Sequence, residues 1–319
     1  MKKNNSFLSS YKNLKVLITG TTGFKGSWLA FWLNKIGAKV TGVALKPEKN
    51  SVLFKSLGLE KKIQQYYVDI KNFNKLNEII RKKKPDIIFH LAAQSIVSTS
   101  FEKPLDTFQT NILGSANILE SSSSKASAEV IFSSYFNSYY TKEKNLSLVS
   151  ARAGNVVGGG DMKDNRIVPD IIKSLINKKK LILRNPKATR PWQHVLEPLS
   201  GYLLIGHKLI NNELKNNILP SWNFGPRTKN CKNVEFITKI ILNNWKKQNF
   251  KFSVNNKKNY HESKFLSLNI GKAKKELNWE PRLNLKETFK LTVEWYKSYL
   301  ENKKIEQFTS EQIEFFLKK

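Results

Sequence analysis

The chain has 319 residues, room for one large α/β domain with an appended lobe or for two smaller domains, and enough to bury a core without staples. Its single cysteine and four histidines exclude an intramolecular disulfide framework and leave no cluster at zinc-ligand spacing, so no metal is expected. Lys and Arg number 55 against 25 Asp and Glu, a net charge of +30. That charge alone would invite a nucleic-acid partner.

Its make-up argues otherwise. Only seven of the basic residues are arginine, the side chain whose planar fork reads bases and phosphates. A general lysine bias accounts for the excess, and no nucleic-acid partner is expected. The opening MKKNNSFLSS has basic residues with no apolar run behind them, and no apolar stretch approaches the roughly 20 residues of a membrane helix. The expectation is a soluble cytoplasmic protein.

From residue 14 short apolar runs alternate with helical patterns. LKVLITG (14–20) reads as a strand ending in glycine, 24–36 as a helix, and AKVTGVAL (38–45) as a second strand. IQQYYVD (63–69) is the third strand, 73–83 a helix, and PDIIFHLAA (85–93) a buried fourth strand. This alternation predicts a doubly wound parallel sheet with helices on both faces. Residues 104–120 form the next helix, with Pro104 in its first turn, followed by a helix-like stretch at 125–140 and a strand at 146–154. The less regular remainder carries helices near 168–177, 198–209 and 234–246, and a long amphipathic one over 285–300. These patterns divide the chain into a doubly wound domain (1–160) and a smaller lobe (161–319).

The strongest local signal is GTTGFKG, which places Gly20, Gly23 and Gly26 directly after the first strand and at the start of its helix. Glycines there let the backbone turn tightly and approach a pyrophosphate, whose charge meets the free N–H groups of the helix start. The strand-turn-helix context is what makes the triplet a dinucleotide signal.

The G-x-x-G-x-x-G spacing resembles extended short-chain dehydrogenase/reductases, the family of nucleotide-sugar epimerases and dehydratases, and further motifs follow in order. Asp69-Ile70 matches the adenine-contacting pair, and His90-Leu91-Ala92-Ala93 matches the segment that lines the cofactor. Thr110-Asn111, with Gly114 and Asn117, matches T-N-x-x-G-x-x-N, and RAGNVVG (152–158) matches R-x-x-N-V-x-G. Within that family, GTTGFKGSWLAFWL, HLAAQSIV, NRIVPDII, TRPWQHVLEPLSGYL and WNFGP are similar to CDP-glucose 4,6-dehydratases.

The resemblance implies a Rossmann-type NAD domain, CDP-glucose or a related nucleotide sugar as substrate, and a homodimer. It implies that Gly20, Gly23, Phe24, Gly26, Asp69, Ile70, Leu91, Ala92, Ala93 and Asn111 hold the cofactor. Arg166, Arg190 and His194 would face the nucleotide sugar, with Gln94, Arg152 and Asn155 in the same cleft. The second strand ends Ala44-Leu45-Lys46-Pro47-Glu48, without the acid that meets the ribose of NAD. Lys46 would suit an NADP phosphate, whereas the resemblance favours NAD.

The chain also departs from that family, whose reaction needs a Tyr-x-x-x-Lys pair, a Ser/Thr that orients the hydroxyl and an acid/base pair for elimination. After Glu120 the sequence runs into SSSSKASAEV (121–130), where the family carries roughly forty more residues by resemblance. Lys125 aligns with the family lysine, while Ser121 stands at the tyrosine position. Tyr140 and Lys144 have the right offset, but too few residues separate them from Arg152. One central strand is thus expected to be missing, leaving the edge of strand 87–91 unpaired unless strand 146–151 moves over. A catalytically degenerate NAD- and nucleotide-sugar-binding protein is the alternative reading.

Overall fold

A computed structural model describes residues 5–48, 51–122, 148–214, 221–247, 250, 252–254 and 265–319. Strands β1 (Lys15–Thr19), β2 (Lys39–Ala44), β3 (Gln64–Tyr67) and β4 (Ile87–His90) form a parallel sheet in the order β3-β2-β1-β4. Alternate β1 side chains enter different cores, as a period of two requires. Val16 and Ile18 face the larger core, and Leu17 faces a smaller one with Val43, Leu76, Ile79, Ile80 and Ile118.

Helix α1 (Phe24–Lys35) lies on the larger-core side, and every residue from Gly26 to Leu33 is buried. A run such as SWLAFWL has no polar face, so it is stable only when covered all round. The C-terminal part of the chain supplies that cover. Trp28 Nε1 donates to the Gly159 carbonyl at 3.0 Å, and Trp32 stands edge-on to Phe316. Helix α2 (Phe73–Lys83) and a long helix α3 cover the other face. α3 is built from Pro104–Phe108, a π-helical turn at Gln109–Leu113, and Gly114–Ser122.

The rest of the described chain comprises β5 (Ser150–Ala153), β6 (Asn155–Val157), α4 (Ile167–Ile176), β7 (Leu181–Leu183), β8 (Thr189–His194) and α5 (Leu196–Ile210). It continues with β9 (Ser221–Phe224), β10 (Cys231–Asn233), α6 (Val234–Trp245), β11 (Phe252–Val254), α7 (Gly271–Leu277), α8 (Leu285–Leu300) and α9 (Ile305–Lys318). α8 starts where Asn284 and Glu287 form a reciprocal capping box. The expected helix at 125–140 falls outside the described residues.

Among the described residues the sheet does not close across the expected gap. β4 pairs with β1 alone, and β5 pairs in parallel with β9 as a separate two-stranded sheet. All four β4 residues are only half-buried, and Ala151 and Arg152 of β5 are exposed. Helix α5 bridges the two pieces. A Cβ at Gly201 would lie 2.2 Å from the Phe224 ring of β9. One at Gly206 would lie 2.1 Å from Tyr11 Oη and 2.8 Å from Ile87 of β4. No helix among the described residues is long and apolar enough to cross a membrane.

Candidate active site

The C-terminal ends of β1 and β4 lie side by side, with Thr19 in register with His90, at the edge where ligands bind in sheets of this kind. Gly20 turns there with φ +77°, and a Cβ on it would stand 2.9 Å from the Ala92 nitrogen. A Cβ on Gly26 would stand 2.0 Å from the Gly20 carbonyl oxygen. Only glycine fits either position. Gly23 caps α1, and the first helical bond is Ser27 N–H to the Gly23 carbonyl. The N–H groups of Phe24, Lys25 and Gly26 therefore precede the intrahelical ladder. With no acid in its first turn, the helix presents an uncompensated positive end, which favours an anion.

The segment after β4 is held from three directions. Thr19 Oγ1 lies 2.6 Å from His90 Nδ1 and accepts the N–H groups of Leu91 and Ala92 at 3.1 Å each. His90 Nε2 lies 2.8 Å from Ser115 Oγ, which donates to the Asn111 carbonyl. Burial pushes the His90 pKa down to about 4. The Asn111 amide clasps the backbone of Gln94, accepting its N–H at 2.7 Å and donating to its carbonyl at 2.9 Å. The Gln94 side chain is in turn spent on Ile96. These two residues, expected to touch ligands, shape the loop with the amides expected to reach them. Ala93 is exposed beside them.

At the end of β3, the Asp69 carboxylate accepts the Lys71 N–H at 2.9 Å. Ile70 is buried against Gly114, and the Asn117 amide donates to the Ile70 and Lys71 carbonyls. These contacts explain three of the motif positions as links between α3 and the end of β3. Phe24 lies against Gly158, so the first turn of α1 meets the loop that follows β6.

On the facing side, Arg166 donates to Asp161 at 2.9 Å and to Ser95, in the loop after β4, at 2.7 Å. The loop carrying Asp161 is pinned by Trp28 on Gly159 and by the Tyr296 hydroxyl, which donates to the Asp161 carbonyl at 2.6 Å. Lys25 points into this region with its ammonium 5.8 Å from the Tyr202 ring centre. Burial first, and the Arg166 charge second, lower its pKa. Sequence reasoning passed over Lys25, Ser95 and Asp161. Lys25 was visible as a cation inside the glycine motif, whereas the other two become relevant only through Arg166.

The remaining expected residues are more scattered. Arg152 is exposed on β5 opposite Asn223, and Asn155 is half-buried on β6 opposite Trp192. Arg190 lies on β8 opposite Lys232 and donates to the Thr189 carbonyl at 2.9 Å. His194 was expected to face the substrate. His194 is fully buried, edge-on to Trp28 at 6.0 Å, with its pKa pushed by burial down to about 3. Lys125, Tyr140 and Lys144 lie outside the described residues. Ser121 is buried in the last turn of α3, ten residues beyond Asn111 and so about 15 Å along the helix at 1.5 Å per residue.

The parallel sheet, the glycine turn into α1 and the clasped loop after β4 define a nucleotide-sugar epimerase/dehydratase fold of the short-chain dehydrogenase/reductase class. The family model described as GDP-mannose 4,6 dehydratase matches residues 17–134. The CDP-glucose 4,6-dehydratase of Salmonella typhimurium is 35% identical, with 91% of this chain and 92% of the relative covered. A UDP-glucuronate 4-epimerase of Thermodesulfobacterium geofontis is 25% identical over 89% of this chain and 97% of its own.

Among solved structures, an epimerase of Methanothermobacter thermautotrophicus superposes with a TM-score of 0.76 at 20% identity, covering 95% of this chain and 97% of that one. The dTDP-glucose 4,6-dehydratase of Bacillus anthracis in complex with NAD gives 0.72 at 18%, covering 91% and 99%. The chain belongs to the CDP-glucose 4,6-dehydratase family.

Proposed function

We propose that the chain binds NAD and CDP-glucose between the glycine turn and the Arg166 loop, and that its dehydratase turnover is very slow or absent. The observation that carries the binding reading is the backbone approach of Gly20 and Gly26. It closes the turn tightly and leaves the N–H groups at the start of α1 outside the helical ladder, where they would meet a pyrophosphate. The family reaction converts CDP-glucose into CDP-4-keto-6-deoxyglucose. Bound NAD supplies a hydride acceptor at sugar C4 and a donor at C6. In this chain the first turn of α1 binds phosphate, the Thr19-anchored loop after β4 fixes one wall of the cleft, and Arg166 presents a guanidinium from the other. The NAD-bound Bacillus anthracis relative supports NAD over NADP.

The slow-turnover part rests on Ser121. If it replaces the family tyrosine, its hydroxyl sits buried at the far end of α3 from the clasped loop. The alignment with the Salmonella enzyme runs over 334 residues, longer than this whole chain, which supports an internal loss. A homodimer is part of the reading, supported by the apolar face of exposed Phe101, Leu105, Phe108 and Leu113. So is a cytoplasmic location.

Calorimetry with NAD and then CDP-glucose, followed by an assay for the 4-keto product, tests both parts. Absence of binding at millimolar ligand overturns the whole reading. A kcat within tenfold of the ordinary value of about 10 s⁻¹ overturns slow turnover alone.

A further inference from the structure

Among the described residues Lys25 has no counter-ion. No carboxylate or carbonyl among them accepts from its ammonium, which lies over the Tyr202 ring at 5.8 Å. The first turns of α1 meet the loop that Arg166 holds, with Phe24 against Gly158, Trp28 on the Gly159 carbonyl and Arg166 on Asp161, and the Arg166 charge acts on Lys25 there. Arg166 is itself balanced by Asp161 at 2.9 Å, so the group of three carries one uncompensated positive charge. The free N–H groups of Phe24 and Lys25 at the start of α1 add to the same field. A desolvated ammonium beside a guanidinium costs stability in the empty protein. Such a cost is retained where a ligand of opposite charge repays it.

The geometry points to Lys25 and Arg166 as a two-cation clamp on the diphosphate of a ligand held between α1 and the Arg166 loop. This rests on the function proposed above and adds a side-chain contact to its backbone cradle. Lys25 gives a compact point charge that reaches one phosphate. Arg166 offers the planar fork, already oriented by Asp161 and Ser95. Two ligands carry a diphosphate, the nucleotide sugar and NAD, and the experiment separates them.

Lys25→Met keeps the length of the chain and removes its charge. Binding of NAD alone, of CDP-glucose with NAD present, and of cytidine is measured by calorimetry on the full chain, alongside the melting temperature without ligand. The clamp predicts at least a tenfold loss of affinity for one diphosphate ligand, with the other within twofold, which identifies the source. It predicts no change for cytidine, which has no phosphate. It also predicts an unliganded melting temperature equal to or above that of the wild type, because a like-charge contact is removed. Lys25→Arg should stay within about threefold of the wild type.

Wild-type affinity of Lys25→Met for both diphosphates overturns the clamp. So does a melting temperature several degrees lower with all three ligands weakened alike, which marks a packing role. If Lys25→Met does not fold, a tenfold loss for both diphosphates in Lys25→Arg overturns it as well. Failure of the wild type to bind either diphosphate overturns the function proposed above instead.

Discussion

Thr19 donates its hydroxyl proton to His90 Nδ1, 2.6 Å away, because both of its lone pairs are taken by the N–H groups of Leu91 and Ala92. The imidazole must then carry its proton on Nε2 and donate to Ser115 Oγ, whose own proton goes to the Asn111 carbonyl. One hydroxyl thus sets the tautomer of a buried histidine and the position of the backbone that lines the cleft. Thr19→Val keeps the shape and removes the acceptor. It should cost about 1–3 kcal/mol in urea unfolding and weaken NAD binding. An unchanged midpoint would show that the two N–H groups find another partner.

The same ring makes the fold sensitive to acid. The pKa values of His90 and His194 are about 4 and about 3 in the folded protein, both below the 6.5 of an unfolded chain. The unfolded state therefore takes up protons first. The stability these rings contribute is complete above pH 6.5 and is lost as the pH falls toward 4 and then 3. With both rings acting, the slope near pH 5 approaches about 2.7 kcal/mol per pH unit. Urea midpoints should change little from pH 7.5 to 6.5 and fall with a slope that steepens from pH 6 to 5, and His90→Gln should reduce that slope by about half. An equal slope in the variant removes His90 from the effect.

The three glycines of the turn are not equivalent. Gly26→Ala drives a methyl to 2.0 Å from the Gly20 carbonyl oxygen, and Gly20→Ala adds a left-handed backbone to a 2.9 Å contact. Both should abolish NAD binding and lower the melting temperature. Gly23→Ala meets only a 3.2 Å contact and should fold, with weaker binding because the methyl sits at the helix start. Calorimetry and thermal melts on the three variants check the order.

Arg166→Ala should weaken CDP-glucose binding by about 10–150-fold, the worth of charge-assisted hydrogen bonds at about 1.5–3 kcal/mol. Arg190→Ala is expected to fall in the same range, with NAD affinity unchanged, and Arg190→Lys to recover part of the loss. Titrations at two salt concentrations separate this from general charge. An unaltered Arg190→Ala would leave Arg166 as the anchor of the sugar nucleotide.

Glu197 is a buried acid in the first turn of α5, and its Oε1 accepts the N–H groups of Arg282 and Leu283 at 2.8 and 2.6 Å. Glu197→Ala leaves both donors buried without it and should cost about 3 kcal/mol. Glu197→Gln retains one acceptor and should cost less. Equal melting temperatures for the two variants would contradict this.

Much of this was legible in the sequence where local chemistry and burial agree. The 285–300 helix matches its predicted bounds because an apolar period of 3.6 and a capping box coincide. Strands β1 and β2 were legible because a parallel sheet covered on both faces leaves short apolar runs, buried here after the first residue of each. The burial of His194 was not legible because resemblance placed it at the substrate without any information on packing, whereas from Pro191 onward every residue of β8 is buried. Periodicity cannot reveal that the second face is also covered. Helix α9 was missed because its apolar residues acquire meaning only from distant partners, such as Trp32 against Phe316 and Trp295 Nε1 donating to Thr309. The π-turn in α3 has no signature of its own in QTNIL, yet it lies where Asn111 clasps Gln94.

Helix α5 touches β9 through Gly201 and β4 through Gly206, while the two strands share no ladder among the described residues. It therefore works as a clutch between two plates. Hydrogen-bonded strands pass strain along their backbones, whereas this junction passes it only through close steric contact, which fails steeply with distance. One added methyl at Gly206 would disengage the plates without breaking a single strand pair. Amides of β1 and β2 are then expected to exchange with solvent on a timescale further from that of β5 and β9 than in the unaltered chain.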